Sequence, residues 1–247
     1  MTTEALSGLP EQGRIYSTQR RIRANDVDAE RRLRLDGVAR YLQDVAFDDL
    51  RDTGFVKSHP LWVLRRTVVD VLRPAHFDEE VRLRSWGSAF ADRWCNKRVT
   101  VDGNRGALIE TEGFWINVDA TTGMPARLSE GLLACFPESA GGKRLQWRRW
   151  LHEHPPQGPT RTFPLRNTDF DWFSHVNNAV YWHVVEEYLD QAPWLMAVPH
   201  RAVVEHLSPI TRGEQLDVAV RVDDTALTLW LIVGEKVRAM ARVSPLD

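Results

Sequence analysis

Five side chains able to handle protons, charge or a carbonyl oxygen crowd one short stretch. In R-N-T-D-F-D-W-F-S-H-V-N-N-A-V-Y-W-H-V-V-E-E, residues 166–187, these are Asp169, Asp171, His175, Asn177 and Asn178. The run that follows them has helical spacing, and Asn177 or Asn178 can cap that helix. A helix start offers unbonded backbone N–H groups and the positive end of the helix dipole. A carbonyl oxygen placed there is polarised as in an oxyanion hole. A carboxylate and an imidazole beside it can act as general base and hydrogen-bond partner. Each residue alone has a plainer use, Asp as a cap and His as a packed side chain. The cluster as a whole points to chemistry on a carbonyl.

The chain repeats itself once, and only one copy carries this cluster. I-R-A-N-D-V-D (22–28) lies beside L-R-N-T-D-F-D (165–171) at an offset of 143, which pairs Arg23 with Arg166, Asp26 with Asp169 and Asp28 with Asp171. At the same offset, residues 38–44 meet 181–187, both with helical spacing. Further on, V-V-D-V-L-R-P-A (68–75) lies beside V-V-E-H-L-S-P-I (203–210) at an offset of 135, so one loop is shorter. In the first copy Arg32 stands where His175 stands, and Arg34 and Leu35 replace Asn177 and Asn178. A requirement of the fold would have kept both copies alike, so the cluster serves a task specific to the second.

Each copy has the same grammar: a short strand carrying D-x-D, a loop, one helix, then about four β-rich segments. The helices are predicted at 35–52 and 177–191. The β segments are rich in branched and aromatic residues and broken by turn signals such as Asp102-Gly103 and Thr122-Gly123. One helix with antiparallel strands, twice, is an α+β pattern. The apolar helix face must be covered by the sheet. The modules are placed at 14–135 and 161–247, with a linker at 136–160 bounded by Gly141-Gly142 and Pro155-Pro156. Within it K-R-L-Q-W-R-R-W-L-H-E-H predicts a short helix holding Trp147, Trp150 and Leu151 on one face. Residues 1–13 read as a loose tail.

The 247 residues include 32 Lys and Arg and 34 Asp and Glu, a net charge of −2, with 43% hydrophobic and 27% charged residues. This is not the composition of a disordered chain, nor the basic excess of a general nucleic-acid binder. Two cysteines, Cys95 and Cys135, exclude a disulfide-rich scaffold and an all-cysteine metal site. A reduced, cytoplasmic compartment fits them, and Cys135 reads as a small buried hydrophobe. No run approaches the ~18 apolar residues of a membrane span, and the first residues read as neither a signal peptide nor a transit peptide. There is no G-x-S-x-G elbow, no H-E-x-x-H and no P-loop, so the reading calls for no cofactor and no metal.

D-x-D-x-x-x-H-V-N-N-x-x-Y followed by a helix holding a Glu resembles the acyl-acyl-carrier-protein thioesterases of plants and bacteria. Their tandem hot-dog halves match the repeat over about residues 14–245. The resemblance implies a double hot-dog fold whose two sheets join into one layer. It implies hydrolysis of fatty acyl thioesters, ending fatty-acid synthesis. Carried over, the catalytic pair falls on Asp171 and His175, with Asp171 as general base or nucleophile. Backbone N–H groups near Val176 and Asn177 would bind the oxyanion, with Asp169, Asn178 and Glu187 in support. Two departures stand out: Phe173 occupies a place where the family often has Asn, and Pro209 falls where plant members carry a functional Glu. Glu205 lies four residues earlier and does not align. The D-W-F-S-H run lacks the Asn and Pro of the hot-dog hydratases.

The first half is expected to shape the acyl pocket through Trp62, Trp86, Trp94 and Trp115. The acidic carrier protein would be received by the linker's Lys143, Arg144, Arg148 and Arg149, with Arg31, Arg32 and Arg34 as a second patch. Coenzyme A thioesters suit the same charges. A non-catalytic acyl-thioester binder is the third reading. No nucleic-acid or membrane partner is called for, and a homodimer is compatible with the reading.

Overall fold

A computed structural model describes residues 5–246. Its ten strands form one antiparallel sheet: β1 (Tyr16–Arg21), β2 (Trp62–Arg73), β3 (Glu80–Phe90), β4 (Trp94–Gly103), β5 (Leu108–Asn117), β6 (Arg161–Phe163), β7 (His200–His206), β8 (Leu216–Asp223), β9 (Ala226–Val233) and β10 (Lys236–Pro245). The order is β1-β3-β4-β5-β2-β7-β10-β9-β8-β6, so the second half mirrors the first. The halves meet where β2 pairs with β7, and there Val68 lies opposite its own repeat mate, Val203. That is the isologous seam of a two-fold dimer, built here within one chain.

Two helices, α1 (Leu35–Asp52) and α4 (Asn178–Leu189), lie side by side on one face of the sheet. Short helices α2 (Glu130–Leu133) and α3 (Pro137–Ala140) close the first half. Val38 and Val45 of α1, and Trp182, Val184 and Val185 of α4, are buried against Val69, Leu83, Val204 and Val218 of the strands. Each fully buried side chain of this size contributes about 1.5–3 kcal/mol.

The opposite face of the sheet is charged at the seam. Arg66 of β2 meets Glu205 of β7 at 3.3 Å, and Arg201 of β7 meets Asp70 of β2 at 2.6 Å. These are one pair written twice, because Arg66 and Arg201, and Asp70 and Glu205, are repeat mates at an offset of 135. All four side chains are buried, and buried charges are tolerated only when paired.

The chain that crosses this face departs from the sequence reading. Residues 143–154 form no helix. The reason is tertiary: Glu205 accepts the N–H groups of Trp150 and Leu151 (2.9 and 2.8 Å), and Arg66 donates to the Arg148 carbonyl (2.7 Å). A helix would need those backbone groups for itself. The Arg66 guanidinium lies 3.8 Å from the Trp150 ring centre, and Leu151 is buried against Val68, Val203 and Trp230. The described part of the N-terminal tail is not loose either. Leu6 packs on the same apolar cluster, and Arg98 donates to the Ser7 carbonyl. The D-x-D runs, finally, begin in one-turn 3-10 helices at Ala24–Asp26 and Asn167–Asp169 and lie outside the strands.

Candidate active site

The loop from Asp171 to Val176 is a tight turn closed by Asp171 N–H to His175 O (2.8 Å) and Ser174 N–H to Asp171 O (3.0 Å). Ser174 takes φ 60°, a left-handed conformation that costs a non-glycine residue about 1–2 kcal/mol. The first copy makes the same turn, bond for bond. Asp28 N–H meets Arg32 O (2.9 Å), Arg31 N–H meets Asp28 O (3.0 Å), and Arg31 has φ 66°. Val176 N–H reaches Ile210 O (2.9 Å) as Leu33 N–H reaches Ala75 O (2.8 Å). The backbone therefore belongs to the fold, and the side chains that differ between copies belong to the task.

In the second copy Asp171 Oδ1 accepts the N–H groups of Phe173 (2.9 Å) and His175 (3.1 Å). Among the described residues nothing bonds Oδ2. The turn thus orients the carboxylate by one oxygen and leaves the other to act. The Asn-to-Phe departure at 173 does not disturb this, because the contact comes from the backbone. His175 is half-buried, with Phe173 6.5 Å away between ring centres, and no hydrogen bond reaches its ring among the described residues.

The expected supporting residues divide. Asp169 is buried in the turn, holding Arg166 N–H (2.7 Å) and accepting Asn177 N–H on its carbonyl (2.8 Å). Asn177 caps α4 by accepting Ala179 N–H (2.9 Å). The N–H groups of Val176 and Asn177, read from the sequence as oxyanion donors, are thus already bonded to Ile210 O and Asp169 O. The first N–H of α4 without a partner among the described residues is that of Asn178. Glu187 is exposed on α4 and does not reach the site. Its neighbour Glu186 turns inward, to the start of α1, where it accepts Leu35 N–H at 2.5 Å.

Asp171, His175, Val176 and Asn178 line a cavity of about 870 Å³ that runs from α4 under α1 into the first half. Its apolar lining includes Leu50, Trp62, Trp115, Leu132 and Phe136, and Lys97 and Asp44 also reach it. Of the four tryptophans expected there, Trp62 and Trp115 line it. Trp86 is buried beneath Arg98, and Trp94 tilts against Phe114. Cys95 and Cys135 both touch the cavity; Cys95 is the buried one, its thiol pushed up to about 12 by burial, whereas Cys135 is half-buried. At the rim stand Trp172, Phe173, Phe47 and Val63, 40–80% exposed.

Tyr181, the last residue of the motif, lines the cavity, and so do Gln43 and His206, which the sequence reading did not single out. His206 sits edge-on to Tyr181 at 4.5 Å, is pushed down to about 3 by burial and by Arg65, and is neutral. Its repeat mate is Val71, so comparing the copies at an offset of 135 was the available signal. On β7, Val204 and His206 face the helices while Glu205 faces the linker. Pro209 lines the cavity, so neither position brings a second carboxylate to it.

Lys143, Arg144, Arg148 and Arg149 are all exposed on the linker, and Arg149 also donates to Leu151 O and contacts Met240. The second patch is spent internally: Arg32 is paired with Asp28, Arg34 with Asp36, and Arg31 lies over Phe77. Among the described residues, no helix is long and apolar enough to cross a membrane.

Residues 13–136 match the family described as acyl-ACP thioesterase N-terminal domain, and residues 153–238 match its C-terminal domain. An uncharacterised protein of Mycobacterium tuberculosis is 43% identical over 237 residues, 96% of this chain and 94% of that protein. An acyl-ACP thioesterase from Bacteroides thetaiotaomicron shares the fold with a TM-score of 0.76 at 17% identity, over 93% of this chain and 97% of the other. The 12:0-ACP thioesterase of Umbellularia californica does so with a TM-score of 0.73 at 17% identity, over 98% of each chain.

Proposed function

The chain belongs to the acyl-ACP thioesterase family of thioester hydrolases, and from that premise we propose that it releases fatty acids from acyl-carrier protein through Asp171 and His175. The observation that carries the proposal is the cavity of about 870 Å³ that Asp171 shares with the apolar side chains of Leu50, Trp62, Trp115, Leu132 and Phe136. The carbonyl lies at the start of α4, against the positive end of the helix dipole. Asp171 Oδ2 takes a proton from water as the water oxygen bonds to the carbonyl carbon. The carbonyl π pair moves onto oxygen, which the helix start stabilises. Collapse restores the carbonyl, breaks the C–S bond and sends the proton to the leaving thiolate. His175 orients the thioester from the other side of the turn.

The carrier's arm enters over the rim of Trp172, Phe173 and Phe47, and the exposed linker cations Lys143, Arg144 and Arg148 meet its acidic surface. The domain roles follow: 14–135 shapes the tail pocket, 136–160 joins the halves, and 161–247 holds the chemistry. The test is a panel of acyl-carrier-protein and acyl-CoA thioesters of increasing length, read with a free-thiol reagent. Release from the carrier-linked series at higher kcat/KM supports the proposal. Faster release from the CoA series reassigns the substrate, and no release from either leaves an acyl binder.

A further inference from the structure

The first half contains a blocked image of the active site, and the block shows what the working half needs. At the start of α1, Leu35 N–H donates to Glu186 Oε1 at 2.5 Å, across the boundary between the two helices. At an offset of 143, Leu35 corresponds to Asn178 and Glu186 corresponds to Gln43. The helix start that is stoppered by a carboxylate in one half is therefore matched by an amide in the other.

Gln43 is half-buried on α1, and no hydrogen bond to its side chain exists among the described residues. It lines the acyl cavity together with Asn178, and the same two residues line a smaller adjoining space of about 30 Å³. The Asn178 N–H has no partner among the described residues. A carboxylate only accepts hydrogen bonds, whereas a glutamine amide also donates two. A glutamate at 43 would take the Asn178 N–H, as Glu186 takes that of Leu35, and would set a negative charge beside a developing oxyanion. A glutamine at 43 carries no charge and can offer its own N–H as a second donor beside that of Asn178.

Resting on the thioesterase reading, we infer that Gln43 is a catalytic residue contributed by the first half: its amide N–H and the Asn178 N–H together bind the thioester oxygen. The Glu186 carboxylate then occupies in the first half the place that the oxyanion takes in the second. The first copy accordingly does more than shape the tail pocket, and the second module alone would lack half of its oxyanion site.

The test uses the full chain with Gln43→Leu and Gln43→Glu, each checked for an unchanged melting temperature. The substrate is dodecanoyl-carrier protein or dodecanoyl-CoA, whichever the unaltered protein turns over faster. Removing one oxyanion donor lowers kcat about 10²–10³-fold, so Gln43→Leu is expected to lose about 10²-fold in kcat with KM within threefold. Gln43→Glu is expected to fall at least as far, and its deficit should shrink as the pH is lowered and the new carboxyl gains a proton to donate. Should Gln43→Leu fail to fold, Gln43→Glu decides on the same criteria. A folded variant with kcat within threefold of the unaltered protein, or a loss confined to KM, overturns the assignment. An unaltered protein with no activity on either substrate sinks the thioesterase reading itself, so the two failures are distinct. Glu186→Gln in the blocked half is the control and should leave kcat unchanged.

Discussion

Arg32 closes on Asp28 twice, its N–H on Oδ1 at 2.7 Å and its guanidinium Nε on Oδ2 at 2.9 Å. The mate of Arg32 is His175, which gives Asp171 only the first of these bonds, so Oδ2 stays open. One substitution on a shared backbone thus separates a neutralised carboxylate from an available one. Asp171→Asn keeps the turn's acceptor oxygen and removes the base. Steady-state assays should show kcat reduced at least 10²–10³-fold, the usual scale for losing such a group. Asp28→Asn should leave kcat unchanged and cost at most about 1 kcal/mol in stability, because its ion pair is part-exposed. Equal losses from both would refute a single working site.

The duplication was legible because the second Asp of each D-x-D meets the same turn requirement in both halves. Asp28 and Asp171 both accept a turn N–H, whereas the Arg166–Asp169 pair has no counterpart among the described residues of the first copy, where Asp26 is held by Arg40 and Tyr41. The α4 helix was legible from its apolar spacing, but its inward acid was not. Glu186 and Glu187 differ by about 100° around a helix, and sequence spacing alone cannot choose between neighbours at an end facing a second helix. The linker misled for a different reason. Its composition permits a helix, but its backbone donors are claimed by Glu205, a residue some 55 positions away. Gln43 was invisible because a lone glutamine on a helix has no signature until its mate is seen stoppering the other half.

Glu186 makes stability depend on pH. Burial, reinforced by Asp36 and Asp28 and opposed by Leu35 N–H and Arg34, pushes its carboxyl up to about 7 from an ordinary value near 4.5. A carboxyl raised on folding favours the folded state most when protonated. Its contribution is therefore fully present below about pH 4.5 and is lost as the pH climbs through about 7. Glu186→Gln keeps an acceptor for Leu35 and removes the charge. Thermal melts across pH should find this variant more stable than the parent at pH 8, by a few kcal/mol at most at about 1.4 kcal/mol per pKa unit. The two curves should converge near pH 4. A constant difference across the range would mean that Glu186 does not titrate there.

Carrier docking is testable without touching the linker's anchor. Arg149 is tied to the Leu151 carbonyl, so the informative charge reversals are Arg144→Glu and Arg148→Glu, both exposed. Surface charges act mainly on association and its salt dependence. The double variant should raise KM for acyl-carrier protein several-fold, flatten its dependence on salt, and leave kcat and the hydrolysis of a small uncharged thioester alone. An unchanged KM for the protein-linked substrate would return these cations to a solvated linker.

The cavity sets a limit on chain length that two opposite changes can move. Each methylene buried in an apolar slot is worth about 0.8 kcal/mol, close to fourfold in kcat/KM, for as long as the slot continues. Where the tail meets the wall, the gain stops and overpacking begins to cost. Leu132 on α2 and Phe136 at the cap of α3 are wall residues, and the Phe136 ring lies directly over Gly87. Leu132→Trp fills the slot, so the optimum in a series of saturated acyl thioesters should move to shorter chains, while kcat on short substrates is kept because Asp171 and Asn178 are untouched. Phe136→Ala empties it and should move the optimum to longer chains. That change also costs about 3–5 kcal/mol of stability, so the assay belongs well below the variant's melting temperature. An optimum that stays put in both variants would place the end of the acyl tail elsewhere in the molecule.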